Sequence, residues 1–157
     1  MCSSDLKKGP LLRYLIKQWN LQQVLVFASS TIKADGIVNK LLKNRIHAAA
    51  VHSKLSQQTR RDTLRQFKAG ELRVLVATDL LARGIDIEFL PCVINYELPR
   101  SPKDYLHRIG RTGRAENPGE AISLISPAET EHFMVIQKKM GKRVKTLSGD
   151  GINLQGY

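Results

Sequence analysis

Residues 107–114 read His-Arg-Ile-Gly-Arg-Thr-Gly-Arg. Arginine recurs at every third position, as Arg108, Arg111 and Arg114, with Gly110 and Gly113 set between them. A guanidinium keeps its charge at any accessible pH and presents a planar fork of donors that matches phosphate oxygens. Glycine has no Cβ, so backbone beside it can approach a ligand closely. Such forks suit the charge that develops on a transferring phosphoryl group. A solvated basic helix end has the same spacing. The segments around the stretch decide between the two readings.

Upstream, Ser101-Pro102 places a cap and a first-turn proline at the head of a helix anchored by Tyr105, Leu106 and Ile109. Short runs at 24–28, 47–51, 73–77, 91–95 and 121–125 read as strands, the wholly apolar 24–28 as one buried on both faces of a parallel sheet and 73–77 as another buried strand. Helical patterns separate them. Leu11, Leu12, Leu15, Ile16 and Trp19 follow Gly9-Pro10, and Ala34, Ile37, Val38, Leu41 and Leu42 follow the caps Ser29, Ser30 and Thr31. Leu64 and Phe67 lie between Ser56 and the stop Gly70, and Phe133, Ile136 and Met140 lie between the capping box Ser126-Pro127-Ala128-Glu129 and Gly141.

This alternation predicts an α/β fold: a single domain with a parallel sheet, helices on both faces and right-handed crossovers. Ser29-Ser30-Thr31, His52-Ser53, Thr78-Asp79 and Asn95-Tyr96 all follow strand ends and should share one edge, where such folds bind ligands. Residues 1–8 read as a ragged end, 9–141 as the domain and 142–157 as a basic, then Gly-rich tail open to disorder.

At 157 residues the chain has room for one sizeable core, and 42% of it is hydrophobic. Its net charge of +11 favours a polyanionic partner, nucleic acid before membrane. No apolar run is long enough to span a bilayer. Cys2 and Cys92 have neither metal spacing nor the density of a secreted scaffold, and His47, His52, His107 and His132 have no metal spacing, so no metal site is expected. These features point to an intracellular, cytoplasmic setting, nuclear if the source is eukaryotic.

Two further segments carry chemistry. Gln57 and Arg60 open a helix whose free N–H groups could join them in gripping a phosphodiester backbone, or they form a solvated first turn. Between Ala77 and Glu88, Thr78 offers a hydroxyl to phosphate, and Asp86, two residues beyond Gly84, could accept hydrogen bonds from a ribose. Alternatively, Asp79 and Asp86 cap the local turn or pair with neighbouring arginines. The residues alone leave both choices open.

Taken in order, these segments resemble the C-terminal RecA-like domain of DEAD-box RNA helicases, in helicase superfamily 2. Val24 to Ser30 is similar to motif IV, His52 to Gly70 to motif IVa, Ala77 to Asp86 to motif V and His107 to Arg114 to motif VI. Ile94 to Pro99 resembles the strand leading into motif VI, and the likeness runs from about Gly9 to Met140. The initial His of motif VI favours the DEAD-box group over DEAH-type and RecQ-type relatives, and over a DNA helicase of the superfamily. Two places depart from the usual wording: His52-Ser53-Lys54 stands for His-Gly-Asp, and Ser29-Ser30-Thr31 for Asn-Thr-Arg.

The resemblance implies roles. Arg111 and Arg114 would be arginine fingers reaching the γ-phosphate of ATP, with Gly84 and Asp86 also on the nucleotide. Ser29, Ser30, Ser53, Gln57, Arg60 and Thr78 would contact RNA backbone. Arg83, His107 and Arg108 would tie the motifs together and to an N-terminal RecA-like partner domain. No Gly-x-x-x-x-Gly-Lys-Ser/Thr loop or Asp-Glu-Ala-Asp run occurs in the chain. The Mg²⁺ ligands are therefore expected on that partner domain, and the chain is expected to be a monomeric fragment inactive by itself. The rival reading is a stand-alone RNA-binding or regulatory module.

Overall fold

The computed structural model describes residues 5–79, 86–113 and 118–157. Its five strands are β1 (Val24–Ala28), β2 (Ala48–Val51), β3 (Val74–Thr78), β4 (Cys92–Asn95) and β5 (Glu120–Ser123). All pair in parallel, in the order β2-β3-β1-β4-β5. Every residue of β1 and β3 is buried, which is why these strands carry apolar runs rather than alternation.

The helices are α1 (Asp5–Gln18), α2 (Thr31–Lys43), α3 (Gln57–Lys68), α4 (Pro102–Ile109) and α5 (Thr130–Met140). Successive strand side chains point to opposite faces. Val24, Val26 and Val76 therefore pack with Leu11 and Leu15 of α1 and with Ala34 and Leu41 of α2. Leu25, Phe27 and Leu75 pack on the other face with Phe67 of α3. A smaller cluster joins Tyr105 of α4 to Ile125 and to Phe133 and Ile136 of α5. The expected parallel sheet with helices on both faces is the observed fold.

The caps act at three helix starts. Ser30, Ser56 and Ser101 accept from the backbone N–H of Lys33, Thr59 and Asp104 at 3.2, 3.1 and 3.1 Å. The carboxylate of Glu129 accepts from the Ser126 amide at 2.8 Å, closing the capping box over a 3₁₀ turn (Pro127–Glu129) that precedes α5.

Three expectations need correction. Residues 5–8 are helical, not ragged, and α1 runs through Pro10. Tertiary contacts hold this first stretch: Lys8 is 2% exposed, and its ammonium lies 2.5 Å from Glu129. The tail folds back instead of leaving the domain. Ile152 and Leu154 pack on the core, and Tyr157 sets its ring edge-on to Tyr14 at 5.3 Å, with Lys17 over it. The fifth strand spans Glu120–Ser123 rather than 121–125: the Leu124 amide still donates to the Asn95 carbonyl at 2.9 Å, but Leu124 and Ile125 bury in the core beyond the strand.

Register sets the functional edge. Ala28 lies opposite Thr78, Val51 opposite Ala77 and Phe27 opposite Asn95. The carboxyl ends of four adjacent strands thus deliver Ser29-Ser30, His52-Ser53, Thr78-Asp79 and Tyr96-Glu97 to one side of the sheet.

Candidate functional site

Arg108 organises the carboxyl edge. It is 2% exposed and extends from α4 beneath the strand ends. Its Nε and Nη2 donate to the two carboxylate oxygens of Asp79 at 2.6 and 2.7 Å. Its Nη1 donates to Asn95 Oδ1 at 3.0 Å and to the Glu97 carbonyl at 2.6 Å. The guanidinium also lies 4.9 Å from the centre of the Phe27 ring. Burying a guanidinium is costly unless its donors are met, and here a forked carboxylate pair and two neutral acceptors meet it. Asn95 in turn donates to Ser123 Oγ, which also bonds the Tyr105 hydroxyl. One side chain therefore binds the turn after β3, the turn after β4 and helix α4 together.

Glu97 makes a second link. Its carboxylate accepts from the Ser29 amide at 2.6 Å and pairs with the Lys33 ammonium. Burial pushes this carboxyl upward, but the hydrogen bonds from Lys33 and Ser29, with the Lys33 charge, outweigh it and hold it below the usual carboxylate range. A third link joins His52 Nε2 to Asp35 Oδ1 at 2.8 Å, tying the turn after β2 to α2.

The polar residues expected on RNA lie along this edge. Ser29, Ser53 and Gln57 are exposed, and Ser30 and Arg60 half-buried. Thr78 is buried, at 8% exposure. Ser30 is also the α2 cap, so its hydroxyl already serves a backbone amide. Arg60 Nη2 donates to Gln57 Oε1 at 2.9 Å, which places both at the start of α3. His107 is exposed on α4.

Arg111 and Asp86 lie elsewhere. Helix α4 runs back along the sheet, and the chain beyond it reaches the amino end of β4. There the Leu90 amide donates to the Arg111 carbonyl at 2.9 Å, and the Gly113 amide donates to the Leu90 carbonyl at 3.2 Å. Leu90 and Thr112 form an isolated parallel bridge. Arg111 is half-buried, its Nη1 3.5 Å from the Ile87 carbonyl. The Asp86 side chain is 98% exposed, 3.5 Å from the Lys68 ammonium at the end of α3.

Gly119 makes this close approach possible. A Cβ there would fall 2.6 Å from both the Gly113 nitrogen and the Leu90 oxygen. An exposed carboxylate and a guanidinium thus share the amino rim, a pair suited to a ribose and a phosphate. Gly84, Arg83 and Arg114 lie outside the described residues. Among those described, no three His, Cys, Asp or Glu side chains converge on a possible metal position. No described helix is long and apolar enough to cross a membrane.

Several site residues escaped the sequence. Asp79 had two readings, cap or arginine partner, and is the partner of Arg108. Glu97 stood in a quoted segment without a role. Asp35 and Gly119 gave no signal, because one acts across 17 residues and the other through empty space. Cys92, expected in the core, is 1% exposed, and burial foremost, with Glu120 adding, raises its thiol pKa to about 12.

Residues 7–116 match the family described as the helicase conserved C-terminal domain. Over 145 residues the chain is 39% identical to an ATP-dependent RNA helicase, dbp8, of Sclerotinia sclerotiorum, covering 90% of this chain and 26% of that protein. It therefore spans about a quarter of the length of the curated relatives it matches. Among solved structures it is similar to a DEAD box protein from the hyperthermophile Methanococcus jannaschii. That likeness has a TM-score of 0.87 and 38% identity, and covers 92% of this chain and 40% of that one. It is also similar to Saccharomyces cerevisiae Dbp5 bound to RNA and ADP BeF3, with a TM-score of 0.84 and 32% identity over 92% of this chain and 39% of that one.

Proposed function

The chain belongs to the helicase conserved C-terminal domain family, in its DEAD-box group, and we propose that it is the C-terminal half of an ATP-dependent RNA helicase. RNA lies along the carboxyl edge, gripped through its backbone by Ser29, Ser30, Ser53, Gln57, Arg60 and Thr78. Backbone contacts carry no base information, so this grip is sequence-independent. An N-terminal RecA-like domain holds ATP against the amino rim. There Asp86 accepts hydrogen bonds from the ribose, beside Gly84, and Arg111 with Arg114 neutralises charge developing on the γ-phosphoryl group.

The observation that carries this reading is the Arg108 network. It fastens the strand ends of the carboxyl edge to the helix that leads to Arg111, and this supports the reading that the two rims act together. Arg83 and His107 are assigned to the contact with the N-terminal domain. Mg²⁺ would neutralise the β- and γ-phosphates when bound with ATP. Its ligands are assigned to the N-terminal domain, where the family resemblance puts the phosphate loop and the Asp-Glu-Ala-Asp run. We place the protein inside the cell, where its thiols stay reduced.

The test is ATP hydrolysis with and without RNA, at low salt. The 157-residue chain alone should show no turnover, and joined to its N-terminal domain it should show RNA-stimulated turnover. Hydrolysis by the chain alone would overturn the division of labour.

A further inference from the structure

A cavity of about 340 Å³ opens between α1, α2 and the turn after β4, bordering the carboxyl edge at Tyr96 and Glu97. Its walls are largely apolar, with Leu12 and Ile37 among them, but four cationic side chains reach it: Lys8, Arg13, Lys33 and Lys40. Lys8 is engaged by Glu129 and Lys33 by Glu97. Arg13 differs. It is 9% exposed, and its Nε is buried without a hydrogen-bond partner among the described residues. Burial pulls its pKa below the ordinary value, and the nearby Tyr96 hydroxyl offsets this only in part. A buried, charged donor left unmet is costly to keep. Two glycines leave room around it. A Cβ at Gly36 would meet nothing within 4 Å, and one at Gly9 would only touch Arg13 Nη1 and the Tyr96 hydroxyl.

We propose that this cavity is a binding site for a small organic anion, whose phosphate or carboxylate head meets Arg13 and Lys40 while its apolar body lies against α1 and α2. The volume falls within the range of small-molecule pockets, and an apolar wall with a few convergent polar groups is their usual lining. The site does not depend on the helicase reading. It is nevertheless joined to the RNA edge, because Lys33 and Glu97 border the cavity and Glu97 also holds the Ser29 amide.

Titration of the 157-residue chain with phenyl phosphate, benzoate and inorganic phosphate, followed by calorimetry and by the Arg13 Nε–H resonance, tests this. Saturable binding of phenyl phosphate or benzoate that shifts that resonance is expected, tighter than for inorganic phosphate. Preference between the two identifies the head group. Arg13→Gln should weaken binding at least tenfold. Because Arg13 is buried, Gly36→Leu provides a second variant: it fills the cavity mouth from an unstrained helical position and should abolish binding while the melting temperature holds or rises. No saturable binding, or binding that survives Gly36→Leu, would overturn the proposal.

Discussion

The two rims of this domain are built by opposite means. On the carboxyl edge, side chains do the joining. Arg108 locks three segments and Glu97 and His52 further pairs, and the strand register places those segments side by side. On the amino rim, backbone does the joining. Leu90 bonds Arg111 and Gly113 through main-chain groups, packed so closely that Gly119 cannot carry a side chain. The difference follows from burial. Strand ends set many polar groups in a crowded layer, where each needs a partner, whereas a loop laced by its own amides leaves side chains such as Asp86 exposed to solvent. Under the function proposed above, the crowded polar edge would meet RNA and the exposed rim would meet ATP held by the N-terminal domain.

The largest effect should come from breaking the link between the rims. Arg108→Ala leaves Asp79, Asn95 and the Glu97 carbonyl without their donor and should cost about 3 kcal/mol in urea unfolding, the low end for breaking a buried pair because the Asp79 side chain is 39% exposed. A cost below 1 kcal/mol would mean the network is not structural. Gly119→Ala should cost about 1–3 kcal/mol through overpacking. It should also separate the rims, impairing ATP turnover of the intact enzyme while RNA affinity holds; equal losses of both would erase the distinction.

Glu97→Gln tests the weaker side-chain link, and its sign is fixed by pH. A carboxyl held below its ordinary value of 4.5 stabilises the fold above that value, and the contribution disappears as pH falls through the lower folded value. Lys33 is 58% exposed, so the stabilisation is at most about 1 kcal/mol. Unfolding curves of the two proteins should differ at pH 7 and converge in acid below pH 4.5. The smallest effect belongs to Asp86→Asn, which should leave the unfolding midpoint unchanged and weaken nucleotide binding by the intact enzyme.

The placement of the carboxyl edge was largely legible, because strand-ending polar clusters are local signals: Thr78-Asp79 directly follows an apolar run, although the partner of Asp79 was not. The amino rim was not. Asp86 and Arg111 were chosen from residue chemistry and resemblance, but the separation of Arg111 from the strand ends depends on the direction in which α4 runs, and Asp86 lies beside Lys68 at the end of α3, a contact remote in sequence. The helical start at Asp5 was hidden by Gly9-Pro10, which reads as a break, and is held by a Lys8–Glu129 pair spanning 121 residues. The returning tail was hidden likewise, since Tyr157 finds Tyr14 only in three dimensions.

The most direct measurement is RNA-stimulated ATP hydrolysis by the full-length protein carrying Arg111→Ala, with RNA binding followed in parallel. The two-rim account predicts a fall of roughly 10³-fold or more in turnover with RNA affinity little changed. Turnover within a few-fold of the unmodified enzyme would contradict it.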